Sequence, residues 1–135
     1  MRTDTQSVRL DGSRADVFAF ISDAENLPRW AVGFARAVSS DGDGWIVRTA
    51  HGTIRLRLAA NAAAGTIDYY MAADGGPEAV AYSRVLAVGD GAEYVFTQVQ
   101  PPGMPDAAFD GQVQALAEEL VILRAIFRAQ AACPA

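Results

Sequence analysis

The chain has 135 residues, 51% of them hydrophobic and 20% charged, with a formal net charge of −5 and an isoelectric point near 4.7. That size and balance predict one globular domain over residues 1–135 whose core stands without a structural metal, and a single cysteine, Cys133, excludes an internal disulfide. The acidic balance and the lack of any lysine argue against a nucleic-acid-binding surface; with no apolar run suited to a signal peptide or a membrane span, the expected location is cytoplasmic.

Val8 and Leu10 fall on one side of a short strand that ends at the Asp11-Gly12 turn. Ser13, with Asp16 three residues on, then opens a helix whose apolar stripe is Val17, Phe18 and Ile21. Asp23 to Trp30 reads as a second short helix broken near Pro28. From Phe34 the apolar residues alternate. Turn signals at Asp41-Gly42-Asp43-Gly44, His51-Gly52, Ala64-Gly65, Asp74-Gly75-Gly76-Pro77 and Asp90-Gly91 divide this stretch into six strands, with an alanine-rich interruption from Ala59 to Ala64. The last segment starts near Pro105 or Asp106 and carries Phe109, Val113, Leu116, Leu120, Leu123 and Phe127 at helical spacing, which makes one long amphipathic helix. Ile122 and Ile126 fall on its opposite side and form a candidate homodimer contact.

Turns also fix register, because a slip of one residue moves every side chain to the other face of a strand. If His51-Gly52 and Asp90-Gly91 are two-residue loops, Val47 lies beside Leu56, Trp45 beside Leu58, Val85 beside Phe96 and Ser83 beside Gln98. Ile67, Tyr69 and Met71 join that apolar face. Arg48, Arg55, Arg57, Asp68, Tyr70, Tyr82, Arg84 and Thr97 take the other, where Asp68 and Arg84 read as a cross-strand ion pair on the solvent side. An apolar sheet face must be covered, and the long helix is the surface available to cover it.

Proton-transfer catalysis needs a titratable group beside the substrate. The inner face offers Thr49, Tyr69, Ser83, Gln98 and, at the sheet edge, Arg36, but neither carboxylate nor histidine, so no catalytic residue is assigned. His51 belongs to a turn. No Gly-rich phosphate loop, nucleophile elbow or metal-ligand spacing appears, and no cofactor or metal is expected.

The element order matches the helix-grip fold, and several strings carry a closer likeness. Val17-Phe18-Ala19-Phe20-Ile21, Asn26-Leu27-Pro28-Arg29-Trp30, Gly65-Thr66-Ile67-Asp68-Tyr69, Ser83-Arg84-Val85 and the stretch from Gly89-Asp90-Gly91 to Pro102-Gly103-Met104 resemble the START/polyketide cyclase-like (SRPBCC) superfamily in its small bacterial members. The resemblance covers nearly the whole chain. It implies an α+β fold in which a curved antiparallel sheet of about seven strands, with two short helices after the first strand, grips the C-terminal helix around a hydrophobic ligand pocket. Trp30, Phe34, Tyr69, Ser83, Phe96, Gln98 and Met104 are the candidate pocket residues. The leading expectation is therefore binding of a small lipid, aromatic or polyketide-like molecule. A cyclase or dehydratase using the same cavity, and an accessory protein that stimulates a chaperone or other partner, stand as alternatives.

Overall fold

A computed structural model describes residues 1–132, so Cys133 lies outside the described residues. The alternating stretches form seven strands, β1 (Thr3–Leu10), β2 (Ala37–Asp41), β3 (Gly44–Thr49), β4 (Gly52–Asn61), β5 (Thr66–Ala73), β6 (Ala79–Val88) and β7 (Gly91–Val99). They make one curved antiparallel sheet in the order β1-β7-β6-β5-β4-β3-β2. Between β1 and β2 stand α1 (Arg14–Ile21), a 3₁₀ turn at Ala24–Asn26 and α2 (Leu27–Trp30), and the chain closes with α3 (Asp106–Ala132).

Each boundary has a local cause. Ser13 sits in extended backbone and its Oγ accepts from the Asp16 amide at 3.1 Å, satisfying one orphan donor of α1. Pro28 opens α2 rather than breaking it, because at the first turn its missing N–H removes no helical bond. The Ala59 to Ala64 patch is not an interruption: β4 runs on to Asn61, and the turn begins only after it.

Two hairpins close one residue earlier than their glycines suggest. Thr49 pairs with Gly52 and Val88 with Gly91, so Val47 faces Ile54, Trp45 faces Leu56, Val85 faces Tyr94 and Ser83 faces Phe96. In both cases the glycine is a strand residue. Gly91 is needed because a Cβ there would stand 2.9 Å from the Leu10 carbonyl of the neighbouring strand. At the other hairpin the Thr49 hydroxyl accepts from the His51 amide at 3.1 Å and donates to the Gly52 carbonyl at 2.8 Å, so Thr49 serves the turn and His51 is exposed. The β5–β6 hairpin shifts likewise, placing Asp68 opposite Tyr82 and Thr66 opposite Arg84. The expected Asp68–Arg84 ion pair does not form; Arg84 Nε donates to the Ala64 carbonyl at 3.3 Å instead.

The stripe on α3 meets the concave face as expected: Phe109, Leu116, Leu120, Leu123 and Phe127 are buried, each contributing roughly 1.5–3 kcal/mol of apolar burial. The helix runs alongside β1. Arg2 reaches Asp110 at 2.8 Å at one end, and Phe127 packs against Gly12 and edge-on to Phe20 at the other. Ile122 and Ile126 are half-buried and pack in part against the core. The exposed apolar residue of this helix is Val121.

The β4–β5 turn depends on one arginine and one glycine. Arg14 donates to the carbonyls of Ala62, Ala63 and Val85, and Gly65, at φ +75°, leaves room for it. A Cβ at Gly65 would lie 2.6 Å from the Val85 carbonyl oxygen and 2.8 Å from Arg14 Nη2. Gly65→Ala is therefore expected to destabilise the fold by about 2–3 kcal/mol, measured as a lowered urea midpoint with an unchanged slope, whereas Gly42→Ala, which meets no neighbouring atom, bears only the cost of its positive φ.

Candidate functional site

Cross-strand register sorts the inner face into rows. One row runs Val85, Tyr94, Val8; the next Ile67, Ser83, Phe96, Gln6; the next Leu58, Tyr69, Ala81, Gln98, Asp4; the last Trp45, Leu56, Met71, Ala79. The first row is buried throughout. In the later rows half-buried side chains, Phe96, then Leu58 and Gln98, then Trp45, Met71 and Ala79, stand beside buried ones, Ile67, Tyr69, Ala81 and Leu56. The first row is the closed end of the grip, and the later rows are partly open.

At the closed end the polar residues of the face come together. Tyr69 and Tyr94 share a hydroxyl–hydroxyl bond of 2.9 Å, and Ser83 Oγ, beside them, donates to the Ile67 carbonyl at 2.7 Å. Trp30 stands edge-on to Tyr94 with ring centroids 6.1 Å apart, and Phe96 packs on both tyrosines at 5.5 and 6.2 Å. The buried Trp30 Nε1–H has no acceptor among the described residues, which costs about 1–3 kcal/mol if nothing binds it. Burial pushes the Tyr69 phenol up to about 12 and raises Tyr94 well above its ordinary value, so both stay neutral donors at physiological pH.

Opposite them, from α3, stands Glu119, only 7% exposed. Its Oε2 accepts from the Gly33 amide at 3.0 Å. Burial drives its pKa up to about 7, against the amides of Gly33 and Phe34, which pull it down, and with Glu118 raising it further. A carboxyl that titrates near neutrality beside two phenols has the properties of a general acid or base. Sequence reasoning placed no carboxylate on this face, and the structure corrects that. Glu119 lies three residues after Leu116 and beside Leu120, a spacing that already put it at the margin of the buried stripe. Asp4, half-buried on β1, is the second: its Oδ2 accepts from Gln6 at 2.8 Å and from Gln98 at 3.1 Å. Tyr94 was also overlooked, although alternation from Ala92 to Phe96 aligns it with the inner face.

Of the sequence candidates, Trp30, Tyr69, Ser83 and Phe96 meet in this cluster. Gln98 shares the row of Tyr69, beyond Ala81, and is engaged with Asp4 and the Gln112 carbonyl. Phe34 belongs to the 31–36 segment that follows α2, and it packs against the core. Met104 is in the link before α3, its carbonyl held by the buried Gln100 side chain at 2.9 Å. Arg36 is exposed and Thr49 is taken up by its turn, so neither joins the cluster. Two surface hollows lie elsewhere, one of about 510 Å³ around Asp11, Asp16, Asp90 and Phe127 and one of about 210 Å³ around Val80, Tyr82 and Val99. Between sheet and helix the closed end is filled by buried side chains of Tyr69, Tyr94, Leu116, Leu120 and Leu123. Among the described residues no group of three or more His, Cys, Asp or Glu is arranged to hold a metal ion, and no helix is long and apolar enough to cross a membrane.

No protein-family model and no curated protein matches the sequence. Solved structures do. The Aha1 dimer from Colwellia psychrerythraea matches at a TM-score of 0.75 and 13% identity, over 94% of this chain and 96% of that one. A START superfamily protein from Mycobacterium smegmatis matches at 0.68 and 14%, over 95% and 98%. The di-domain ARO/CYC BexL from the BE-7585A biosynthetic pathway matches at 0.70 and 18%, over 92% of this chain but 45% of that one. The fold is thus the helix-grip fold of START and polyketide cyclase-like proteins.

Glu119 makes stability depend on pH in a definite direction. Its folded pKa of about 7 lies above the ordinary 4.5, so the folded state binds the extra proton between those values, and its contribution is full below pH 4.5 and lost as pH rises through 7. Thermal or urea unfolding should show wild type losing on the order of 1–3 kcal/mol between pH 5 and pH 8 from this group, and Glu119→Gln should remove that part of the slope and be the more stable protein at pH 8.

Proposed function

We propose that the chain is a cytoplasmic protein that binds a small hydrophobic molecule in the open half of its grip. The observation that carries this reading is the set of half-exposed apolar side chains, Phe96, Leu58, Trp45 and Met71, spread over three successive rows of the inner face beside the buried Ile67, Tyr69 and Leu56. Such a surface, concave and ending on a few convergent polar groups, suits a ligand with an apolar body and one polar end. Tyr69, Ser83 and Trp30 supply the polar end, with Phe34 and Met104 at the margins and Gln98 beside it. Structures of this fold include a START superfamily protein and an ARO/CYC protein of a biosynthetic pathway, which agrees with the reading without naming a ligand.

A second reading, an enzyme of the cyclase or dehydratase kind, is favoured by one observation: Glu119, titrating near neutrality, faces Tyr69 and Tyr94. The two readings part at Tyr69→Phe. A binder loses about threefold to tenfold in affinity with one hydrogen bond; an enzyme using that hydroxyl loses turnover by 10²-fold or more.

Native mass spectrometry of freshly purified protein is the direct test. The binding reading expects an adduct of small-molecule mass that is released on denaturation, and that is absent from Ala79→Phe, which fills the open row from a half-exposed position the fold tolerates. An adduct retained undiminished in Ala79→Phe would place the molecule elsewhere and sink the reading.

A further inference from the structure

Among the described residues one buried side-chain polar atom lacks a hydrogen-bond partner, the Nε1–H of Trp30, a residue only 2% exposed. Buried donors in folded proteins almost always find an acceptor, so an unpaired one marks a place where an acceptor can arrive from outside the chain. The other polar groups of the cluster bond one another or the backbone: Tyr69 and Tyr94 share their 2.9 Å bond, Ser83 Oγ donates to the Ile67 carbonyl, and Glu119 Oε2 accepts from the Gly33 amide. Trp30 stands edge-on to Tyr94. In register Phe96 lies between the row of Tyr94 and the row of Tyr69, half-buried and packed on both rings, so the cluster borders the partly open rows.

We propose that the cleft takes ligands whose polar end is an uncharged acceptor oxygen, a ketone or other neutral carbonyl seated on the Trp30 N–H, and refuses ligands that end in a carboxylate or phosphate. The inference rests on the cleft reading and names the ligand class within it. The refusal follows from charge. An anion drawn out of water needs a cation within reach, and the inner face supplies none. The chain has no lysine. Arg2 is held by Asp110 at 2.8 Å, and Arg14 by the carbonyls of Ala62, Ala63 and Val85. Arg48, Arg55, Arg57 and Arg84 stand on the outer face, and Arg36, at the sheet edge, is exposed. The carboxyls that do face inward, Glu119 from α3 and Asp4 from β1, add like charge against an anion. A carbonyl oxygen loses only its hydrogen bond on leaving water, and the Trp30 N–H restores it.

Three probes with one naphthyl body, substituted at the same ring position, separate these effects: acetylnaphthalene, ethylnaphthalene and naphthoate, measured against the full chain by equilibrium dialysis at pH 8. The ketone should bind about threefold to tenfold tighter than the hydrocarbon, the worth of one hydrogen bond, and at least about tenfold tighter than the anion. In Trp30→Phe the ketone should fall to the affinity of the hydrocarbon, which controls for the change of shape. Wild type gives a second readout that does not depend on that variant. The chain has two tryptophans, hence two indole N–H signals in its NMR spectrum, and the one that persists in Trp45→Phe belongs to Trp30; the ketone should move it downfield and the hydrocarbon should not. Naphthoate bound as tightly as the ketone, a ketone advantage that survives in Trp30→Phe, or an indole signal that responds alike to both neutral probes would overturn the inference; if Ala79→Phe still abolished binding, the cleft reading would survive that result. Binding of none of the three, or binding undiminished in Ala79→Phe, would sink the cleft reading and this inference with it.

Discussion

The packing of α3 along β1 is the contact on which the remaining architecture depends. Strands stand roughly 4.8 Å apart, so a sheet of this kind is nearly 30 Å from edge to edge, whereas one helix with its side chains covers only about 10–12 Å. A single helix therefore cannot cover the concave face. By lying beside β1, with Arg2 near Asp110 at one end and Gly12 under Phe127 at the other, α3 closes the side of β1 and β7. Phe20 of α1 meets Phe127, and the segment after α2 meets Glu119, so the short helices complete the closed end. The open rows at Trp45 and Met71 are what this division leaves over.

Face assignment was legible in the sequence and register was not, and the difference is physical. The hairpin pairings at β3–β4 and β6–β7 are displaced by a whole pleat from those that His51-Gly52 and Asp90-Gly91 suggest. A displacement of two residues changes each side chain's partner and leaves its face unchanged, so the arginines stayed outside and the apolar residues inside. A glycine marks a turn only when the turn is what needs it. Gly91 answers instead to the Leu10 carbonyl of β1, 81 residues away along the chain and outside any local window. The long helix was read from its period alone because six apolar residues at consistent spacing leave little choice. Pro28 misled because proline both stops helices and starts them, and the 3₁₀ turn before it decides which.

The candidate site was legible by half. Tyr69, Ser83 and Phe96 followed from alternation on β5, β6 and β7, and Trp30 and Phe34 from the resemblance of the helical segment. What escaped was the contribution of α3. A charged residue at the margin of an apolar stripe ordinarily extends its head to solvent. Glu119 instead turns its carboxyl to the Gly33 amide and is buried, and that contact depends on the segment after α2, which shares no periodicity with the helix. Asp4 escaped for the simpler reason that the strand was read from Val8 and Leu10, whereas β1 begins at Thr3.

Burial is why the Glu119 carboxyl favours its proton. Across from it Ser83 gives its hydrogen to the Ile67 carbonyl, and the Tyr69 and Tyr94 hydroxyls bond each other at 2.9 Å. The amides of Gly33 and Phe34 favour the anion from the other side, and burial tips the balance toward the acid. The same arrangement tells what an incoming polar group would find at the closed end: the hydroxyls of Tyr69 and Tyr94, an indole N–H that donates, and a carboxyl that does either according to pH.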